Sequence, residues 1–308
     1  MDEHGPEVFW LDNSKIETFM LCPQKYAFRF EEHLVPVERK RDSALMFGGA
    51  IHKALETIYK GTGFERVQCP RCQGGYCVYC KGGTMLKMAA IFLANYQDDP
   101  EDPKEIRTAD RGLDLLAQYL GKWRREPFKT IAVEIPFELP FSLAGLTFNY
   151  VGRIDLFVDW EGIPLVVDHK TTTRFGMLFD SSFKLNGQFT GYMRGAEQKF
   201  NRPVFNALAN AMRVTTKIDD NSFARIYTQR TPEDFEAWER QVKHVATEIL
   251  QMRATGFFPK SAPFACGAYN RMCEYYPLCI SAAQTQKTLK QSSYERIPWE
   301  PRKDSDDE

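Results

Sequence analysis

The chain of 308 residues contains no run of about 18 apolar residues, so it lacks what a membrane-spanning helix requires. It also lacks a charge of one sign: 40 Lys and Arg stand against 41 Asp and Glu, a formal net charge of -1. A global positive field is thereby excluded, and contact with a polyanion has to come from a local basic patch. The opening MDEHGPEVFW is acidic and shows no basic-then-apolar leader pattern. The expectation is a cytoplasmic chain with reduced thiols. Repeats and low-complexity stretches are absent apart from the acidic end DSDDE, which reads as a disordered tail. Core-forming residues are plentiful. With 43% hydrophobic against 26% charged residues, the chain can bury a core. Its length suits about two domains, or one large α/β domain with insertions.

Eight cysteines fall at 22, 69, 72, 77, 80, 266, 273 and 279. In a reducing compartment they read as metal ligands rather than disulfides. Cys69, Cys72, Cys77 and Cys80 form CPRCQGGYCVYC, two C-x-x-C pairs followed by glycines that permit tight turns around thiolates. Four thiolates at this density suit a closed tetrahedral Zn2+ site that stabilises a small lobe. An iron–sulfur cluster and free surface thiols stay open as alternatives. Cys266, Cys273 and Cys279 sit in the aromatic segment CGAYNRMCEYYPLC. With the isolated Cys22 they would make a second set of four, for zinc or for an iron–sulfur cluster. Burial of small unreactive thiols is the plain alternative.

Apolar periodicity predicts two short helices over 14–31 broken at Pro23, a charged loop over 34–44, and helices near 46–60, 85–97, 105–126, 183–200 and 231–253. Strands are expected in IAVEIPFELP, LTFNYVGRIDLFVDW, PLVVDHKTT, NALANAMRV and FARIYTQ. The densest chemistry lies in GRIDLFVDWEGIPLVVDHKT, which reads as a hairpin turning at Glu161-Gly162. Asp168 and Lys170 share a face of one strand, and Asp155 on the other strand can face them. Two nearby carboxylates repel unless a divalent cation joins them, and an adjacent lysine can stabilise charge on a phosphate. That is equipment for phosphodiester hydrolysis. Taken alone, an Asp-x-Lys at a strand end is more often a solvated charge pair.

The order of five short motifs resembles the RecB-type branch of the PD-(D/E)xK nuclease superfamily, including the iron–sulfur nucleases of CRISPR adaptation and helicase–nuclease repair complexes. These are SKIETFMLCPQKYAFRF with Cys22, FGGAIHKALE with His52, GRIDLF with Asp155, DHKT with Asp168 and Lys170, and LNGQFTGYMRGA with Gln188 and Tyr192. The resemblance implies an α/β fold: a restriction-endonuclease-like core sheet flanked by helices, with an N-/C-terminal iron–sulfur brace and a small zinc-binding insertion. It implies a Mg2+ or Mn2+ site made by His52, Asp155, Asp168 and the backbone carbonyl of His169, with Asp155, Asp168 and Lys170 catalytic. It also implies a [4Fe-4S] cluster on Cys22, Cys266, Cys273 and Cys279, and DNA contacts by Gln188 and Tyr192. Glu56 is expected in a helix-surface salt bridge. Further basic residues, Lys122 to Arg125, Arg174, Arg194, Lys199 and Arg202, are weaker candidates for phosphate contact.

The implied activity is metal-dependent DNA cleavage, as an exonuclease on single strands or duplex ends. A thiolate-braced DNA-binding module without catalysis and an iron–sulfur redox protein are the rivals. DNA is the expected partner. Recombination, repair or CRISPR adaptation proteins and a second copy of the chain are further candidates, and no membrane is expected. The corresponding regions are 1–60 (helical, with Cys22 and His52), 61–84 (zinc-binding insertion), 85–129 (helical), 130–255 (nuclease core), 256–285 (cluster segment) and 286–308 (tail).

Overall fold

The computed structural model describes residues 9–38, 42–80, 82–99, 102, 104–143 and 145–300. In chain order the elements are β1 (Trp10–Leu11), α1 (Asn13–Leu21), α2 (Pro23–Tyr26), a π-helical turn (Ala27–Glu31), β2 (Leu34–Pro36) and α3 (Ser43–Tyr59). Next come β3 (Arg66–Gln68), β4 (Thr84–Leu86), α4 (Lys87–Asn95), α5 (Ala109–Lys122), β5 (Lys129–Leu143), β6 (Leu146–Trp160) and β7 (Ile163–Thr172). The remainder is α6 (Met177–Ser182), α7 (Gly187–Phe200), β8 (Asn206–Arg213), β9 (Phe223–Gln229), α8 (Pro232–Thr255), α9 (Tyr276–Ile280), α10 (Ala283–Ser292) and β10 (Tyr294–Arg296). Among the described residues no helix is long and apolar enough to cross a membrane.

The chain divides into two compact units, one of residues 41–137 and 153–231, the other of residues 1–40, 138–152 and 232–308. The first of these holds a mixed sheet flanked by helices. Strand β7 pairs antiparallel with β6 and parallel with β8, and β8 pairs antiparallel with β9. The β6–β7 turn has Glu161 and Gly162 both at positive φ, 53° and 87°, the type I′ pattern that matches strand twist. Asp159 Oδ1 accepts the Gly162 N–H at 2.7 Å and fixes that turn. Residues Leu165 to His169 of β7 are all buried, as expected for a central strand covered on both faces. Helix α3 is capped by Asp42, whose Oδ1 accepts the Leu45 N–H. It buries Phe47, Ala50, Ile51, Ala54 and Leu55, a stripe of helical spacing. A Cβ on Gly48 would come 3.1 Å from Thr171 Oγ1, so the missing side chain lets α3 lie close on β7.

In the other unit, Asp12 caps α1 by accepting the Lys15 N–H at 2.7 Å and also accepts the Trp299 Nε1–H at 2.7 Å. Phe28, Leu34, Tyr275, Leu278 and Tyr294 form a small core there. The segment expected as a charged loop over 34–44 begins with β2, which pairs antiparallel with β10; residues 39–41 lie outside the described residues. Within the region set apart as the tail, 286–308, α10 continues to Ser292 and β10 follows, while the acidic end lies outside the described residues. The expected single helix over 183–200 is α7 alone, starting at Gly187 behind an Asn186 cap, with the short α6 before it.

Candidate functional site

The β6–β7 register pairs Leu156 with Val167, so one further step sets Asp155 opposite Asp168. Asp155 Oδ2 accepts the His169 backbone N–H at 2.7 Å and lies 3.3 Å from His52 Nδ1. Asp168 Oδ2 lies 2.6 Å from Lys170 Nζ, which also donates to Gln188 Oε1 at 3.0 Å. Gln188 Nε2 in turn donates to Tyr192 Oη at 2.9 Å, one helical turn along α7. Four sequence motifs thus contribute two adjoining sets of polar contacts, His52–Asp155–His169 amide and Asp168–Lys170–Gln188–Tyr192. Glu56 pairs with Lys60, the helix-surface role expected of it.

Electrostatics follow from burial and crowding. Burial opposes charge on both acids. For Asp155 the charge and hydrogen bond of His52, with the His169 amide, outweigh it and hold the carboxyl well below the usual range. For Asp168 burial and the nearby Asp155 carboxylate win over Lys170, and its pKa is raised. Burial works against a charged His52, but Asp155 lifts it to about 9.

Two buried carboxylates and an imidazole are the donor types of a divalent-cation site, although among the described residues the ligand atoms of His52, Asp155 and Asp168 do not all lie within 4.8 Å of one another. In an octahedral site, ligand atoms about 2.1 Å from a shared ion stand about 3 Å apart. The 3.3 Å between His52 Nδ1 and Asp155 Oδ2 fits that separation.

Sequence reasoning missed three contributors. Glu134 on β5 has φ 50°, a bulge-like kink in a strand, and burial together with Asp155 and Glu56 pushes its carboxyl up to about 7. Asn210 of β8 is paired in register with His169, and its amide lies 2.8 Å from His169 Nδ1 and from Tyr119 Oη. Tyr119 contacts Tyr59, Tyr59 donates to Glu126, and Arg225 holds Glu126 with two bonds of 2.8 and 2.6 Å. Arg230, buried, is the third, donating to the Phe183 and Asn186 carbonyls and to Thr190 Oγ1. A lone Asn inside the apolar run ALANAM was the one available signal. Several basic candidates are engaged in ion pairs: Arg194 pairs with Glu197 and Arg202 with Asp159. Trp123 is covered by the Arg225 guanidinium at 3.6 Å, so it is not an open stacking surface.

The two cysteine sets differ in geometry. Cys69, Cys72, Cys77 and Cys80 bring their sulfurs within 4.8 Å of one another, with separations of 3.7, 3.4 and 3.7 Å where they touch. A tetrahedral zinc site with 2.3 Å bonds needs edges of about 3.8 Å. Cys69 and Cys80 are also buried in a core shared with α3, α4 and α5. Cys22, Cys266, Cys273 and Cys279 instead line one cavity of about 170 Å3, together with Lys25, Lys260 and Tyr275. Among the described residues no three of these four sulfurs lie within 4.8 Å of one another, too widely spaced for a single ion. Burial raises Cys273 and Cys279, against the charges of Lys25 and Lys260.

A profile of the PD-(D/E)XK nuclease superfamily matches residues 13–280. No curated protein sequence matches the chain. Among solved structures, a candidate exonuclease from Eubacterium rectale is 11% identical with a TM-score of 0.50, covering 86% of this chain and 89% of that one, a likeness of fold. The structure of SSO0001 is 12% identical with a TM-score of 0.35, covering 82% and 80%. The Vibrio cholerae protein VC1899 is 13% identical with a TM-score of 0.18, covering 78% and 55%. The matched span takes in the β6–β7 hairpin, the helix of His52 and both cysteine sets, and the chain belongs to the PD-(D/E)XK nuclease superfamily.

Proposed function

We propose that this superfamily member is a Mg2+- or Mn2+-dependent deoxyribonuclease of the RecB-type branch, acting as an exonuclease on single-stranded DNA or duplex ends. DNA repair, recombination, phage DNA processing and CRISPR adaptation all need such an activity. What carries this reading is the meeting of Asp155, Asp168, Lys170 and His52 at one end of the β6–β7 hairpin. His52, Asp155, Asp168 and the His169 carbonyl would hold the divalent ion. When bound, that ion supplies Lewis-acid polarisation of a phosphoryl oxygen and lowers the pKa of water.

The chain's own residues do the rest. The His169 amide and His52 keep the Asp155 carboxylate ionised and oriented. Lys170 is held between Asp168 and Gln188, which keeps its ammonium beside the two acids, where it can neutralise charge growing on a phosphate. The Lys170 ammonium, a donor only, takes the Gln188 oxygen, which leaves the amide nitrogen to donate to Tyr192 Oη.

The spacing of the cysteines supports two different thiolate sites: Zn2+ on Cys69, Cys72, Cys77 and Cys80, and a [4Fe-4S] cluster on Cys22, Cys266, Cys273 and Cys279. Both are structural in this reading. End-labelled oligonucleotides, single-stranded and duplex, incubated with Mg2+ or Mn2+ test the activity. Cleavage by the wild-type chain and its loss in Asp168→Ala, with DNA binding kept, are the expected results. Binding without cleavage by the wild type would favour a non-catalytic DNA-binding module.

A further inference from the structure

Residues 173–186 connect the strand of Lys170 to the helix of Gln188. Because Lys170 Nζ and Gln188 Oε1 are 3.0 Å apart, the segment leaves the candidate active site and returns to it. Its inner side is tightly fixed. Phe175, Phe179, Phe183 and Phe189 form a ladder of rings with centroids 5.8, 5.0 and 5.5 Å apart, and Phe183 and Phe189 are buried. Arg230, itself buried, donates to the Phe183 carbonyl at 2.9 Å, the Asn186 carbonyl at 3.1 Å and Thr190 Oγ1 at 2.9 Å.

The outer side is the reverse of a solvated loop. Met177, Leu178 and Leu185 are 82%, 89% and 92% exposed. Aliphatic side chains held out on a rigid base mark a contact surface. Arg174 and Lys184 are exposed on the same segment, and among the described residues neither side chain has a partner. Arg213 lies over the Phe175 ring at 5.5 Å, and its Nε is buried without a hydrogen bond. Asp180 is the one acid on the segment. An apolar face edged by cations and continuous with a phosphodiester-cleaving site complements a strand whose phosphates are charged and whose bases are unstacked.

We propose that residues 173–186 are a substrate-strand platform, on which Met177, Leu178 and Leu185 contact unpaired bases while Arg174, Lys184 and Arg213 hold phosphates. The proposal rests on the nuclease reading of the adjoining site and adds a preference for single-stranded ends. At a duplex end the aliphatic face acts as a wedge between bases.

The test is the triple variant Met177→Ser, Leu178→Ser, Leu185→Ser. Binding is read by anisotropy of a fluorescein-labelled single-stranded oligonucleotide on an Asp168→Ala background, and unstacking by 2-aminopurine placed near its end. Cleavage kinetics are read with Asp168 intact. We expect Kd and KM for the single strand to rise about tenfold, kcat to change less than about twofold, and the 2-aminopurine signal to be lost. The melting temperature should hold, because these side chains are solvent-exposed. Arg174→Gln with Lys184→Gln should weaken binding and flatten its salt dependence. Unchanged Kd and 2-aminopurine signal overturn the platform, even where wild-type cleavage upholds the nuclease. If the wild type cleaves nothing, the nuclease reading falls, and Kd still decides for or against the platform. A variant that changes only sedimentation would assign the face to a second copy of the chain and also overturn the proposal.

Discussion

Lys170 is held by oxygens from Asp168 on its own strand and from Gln188 on α7, among its contacts. Replacing Gln188 with Leu leaves the ammonium in place but with one acceptor fewer. Lys170→Ala is expected to lower kcat by about 10²–10⁴-fold, the range for loss of a positioned charged or proton-transferring group. Gln188→Leu should lower it less. The double variant should be no slower than Lys170→Ala, since Gln188 acts through Lys170; single-turnover rates on labelled DNA read all three. A pH prediction follows from His52. Its pKa is raised from 6.5 to about 9 by Asp155, so in chelator the pair's stabilisation is present in full below pH 6.5 and is lost as pH rises through about 9. Melting temperature between those limits should fall more steeply with pH in the wild type than in His52→Ala. Asp168 and Lys170 were legible in the sequence because charge directly after the buried run PLVV is conspicuous, and Asp155 because the hairpin sets it on the facing strand. Glu134 and Asn210 were not, because their meaning depends on which strands lie beside β6 and β7. No local pattern encodes that adjacency.

Helix α7 carries both Gln188 and Tyr192, and its seating depends on Gly195. A Cβ there would stand 2.4 Å from Phe137 Cγ, inside the ring's van der Waals surface. Gly195→Ala therefore has to displace either the ring or the helix, at about 1–3 kcal/mol. It should lower the melting temperature and also reduce kcat, because moving α7 moves the partner of Lys170. A purely structural glycine would lower stability and leave kcat alone. The cysteine lobe makes a second case at this scale. Strands β3 and β4 pair over three residues each, too few to stand alone, yet Cys69 and Cys80 are buried in the core of α3 to α5. Cys72→Ser is expected to cost one bound zinc per chain and to open residues 66–86 to limited proteolysis, with metal content and cleavage sites as the readings. Long elements were legible from periodicity: α3, α8 and β6–β7 lie where the apolar pattern puts them. Pro23 does mark a helix boundary, but as the first residue of α2, where its missing N–H costs nothing. The β2–β10 pair was not legible, since three-residue strands from opposite ends of the chain carry no periodicity of their own.

Chain order and spatial order diverge most in the unit built from residues 1–40, 138–152 and 232–308, three stretches that are remote in sequence. Cys22 comes from the first and Cys266, Cys273 and Cys279 from the last, and all four line one cavity. A cluster there would tie the two ends of the chain, and a cross-link closing so long a loop removes a large entropy from the unfolded state. The neighbouring core is small, with five buried residues at its centre, and polar ties such as the Tyr275 hydroxyl to the Leu34 carbonyl, Arg29 to the Ile297 carbonyl and Lys290 to Glu32 supplement it. Loss of the cluster should therefore be felt in this unit first. Protein purified without oxygen is expected to be brown, with about four iron and four sulfide per chain. Cys266→Ala, or oxidation by air, should bleach it and raise amide hydrogen exchange in residues 13–31, 264–280 and 294–296. Strands β7, β8 and β9 carry a core of their own and should exchange nearly as before, measured by mass spectrometry on the same digests. Uniform loss of protection across both units would mean that the thiolate brace supports the whole chain. Colourless protein with two zinc ions and no iron would remove the cluster while leaving the acid–lysine site to be judged by its own cleavage assay.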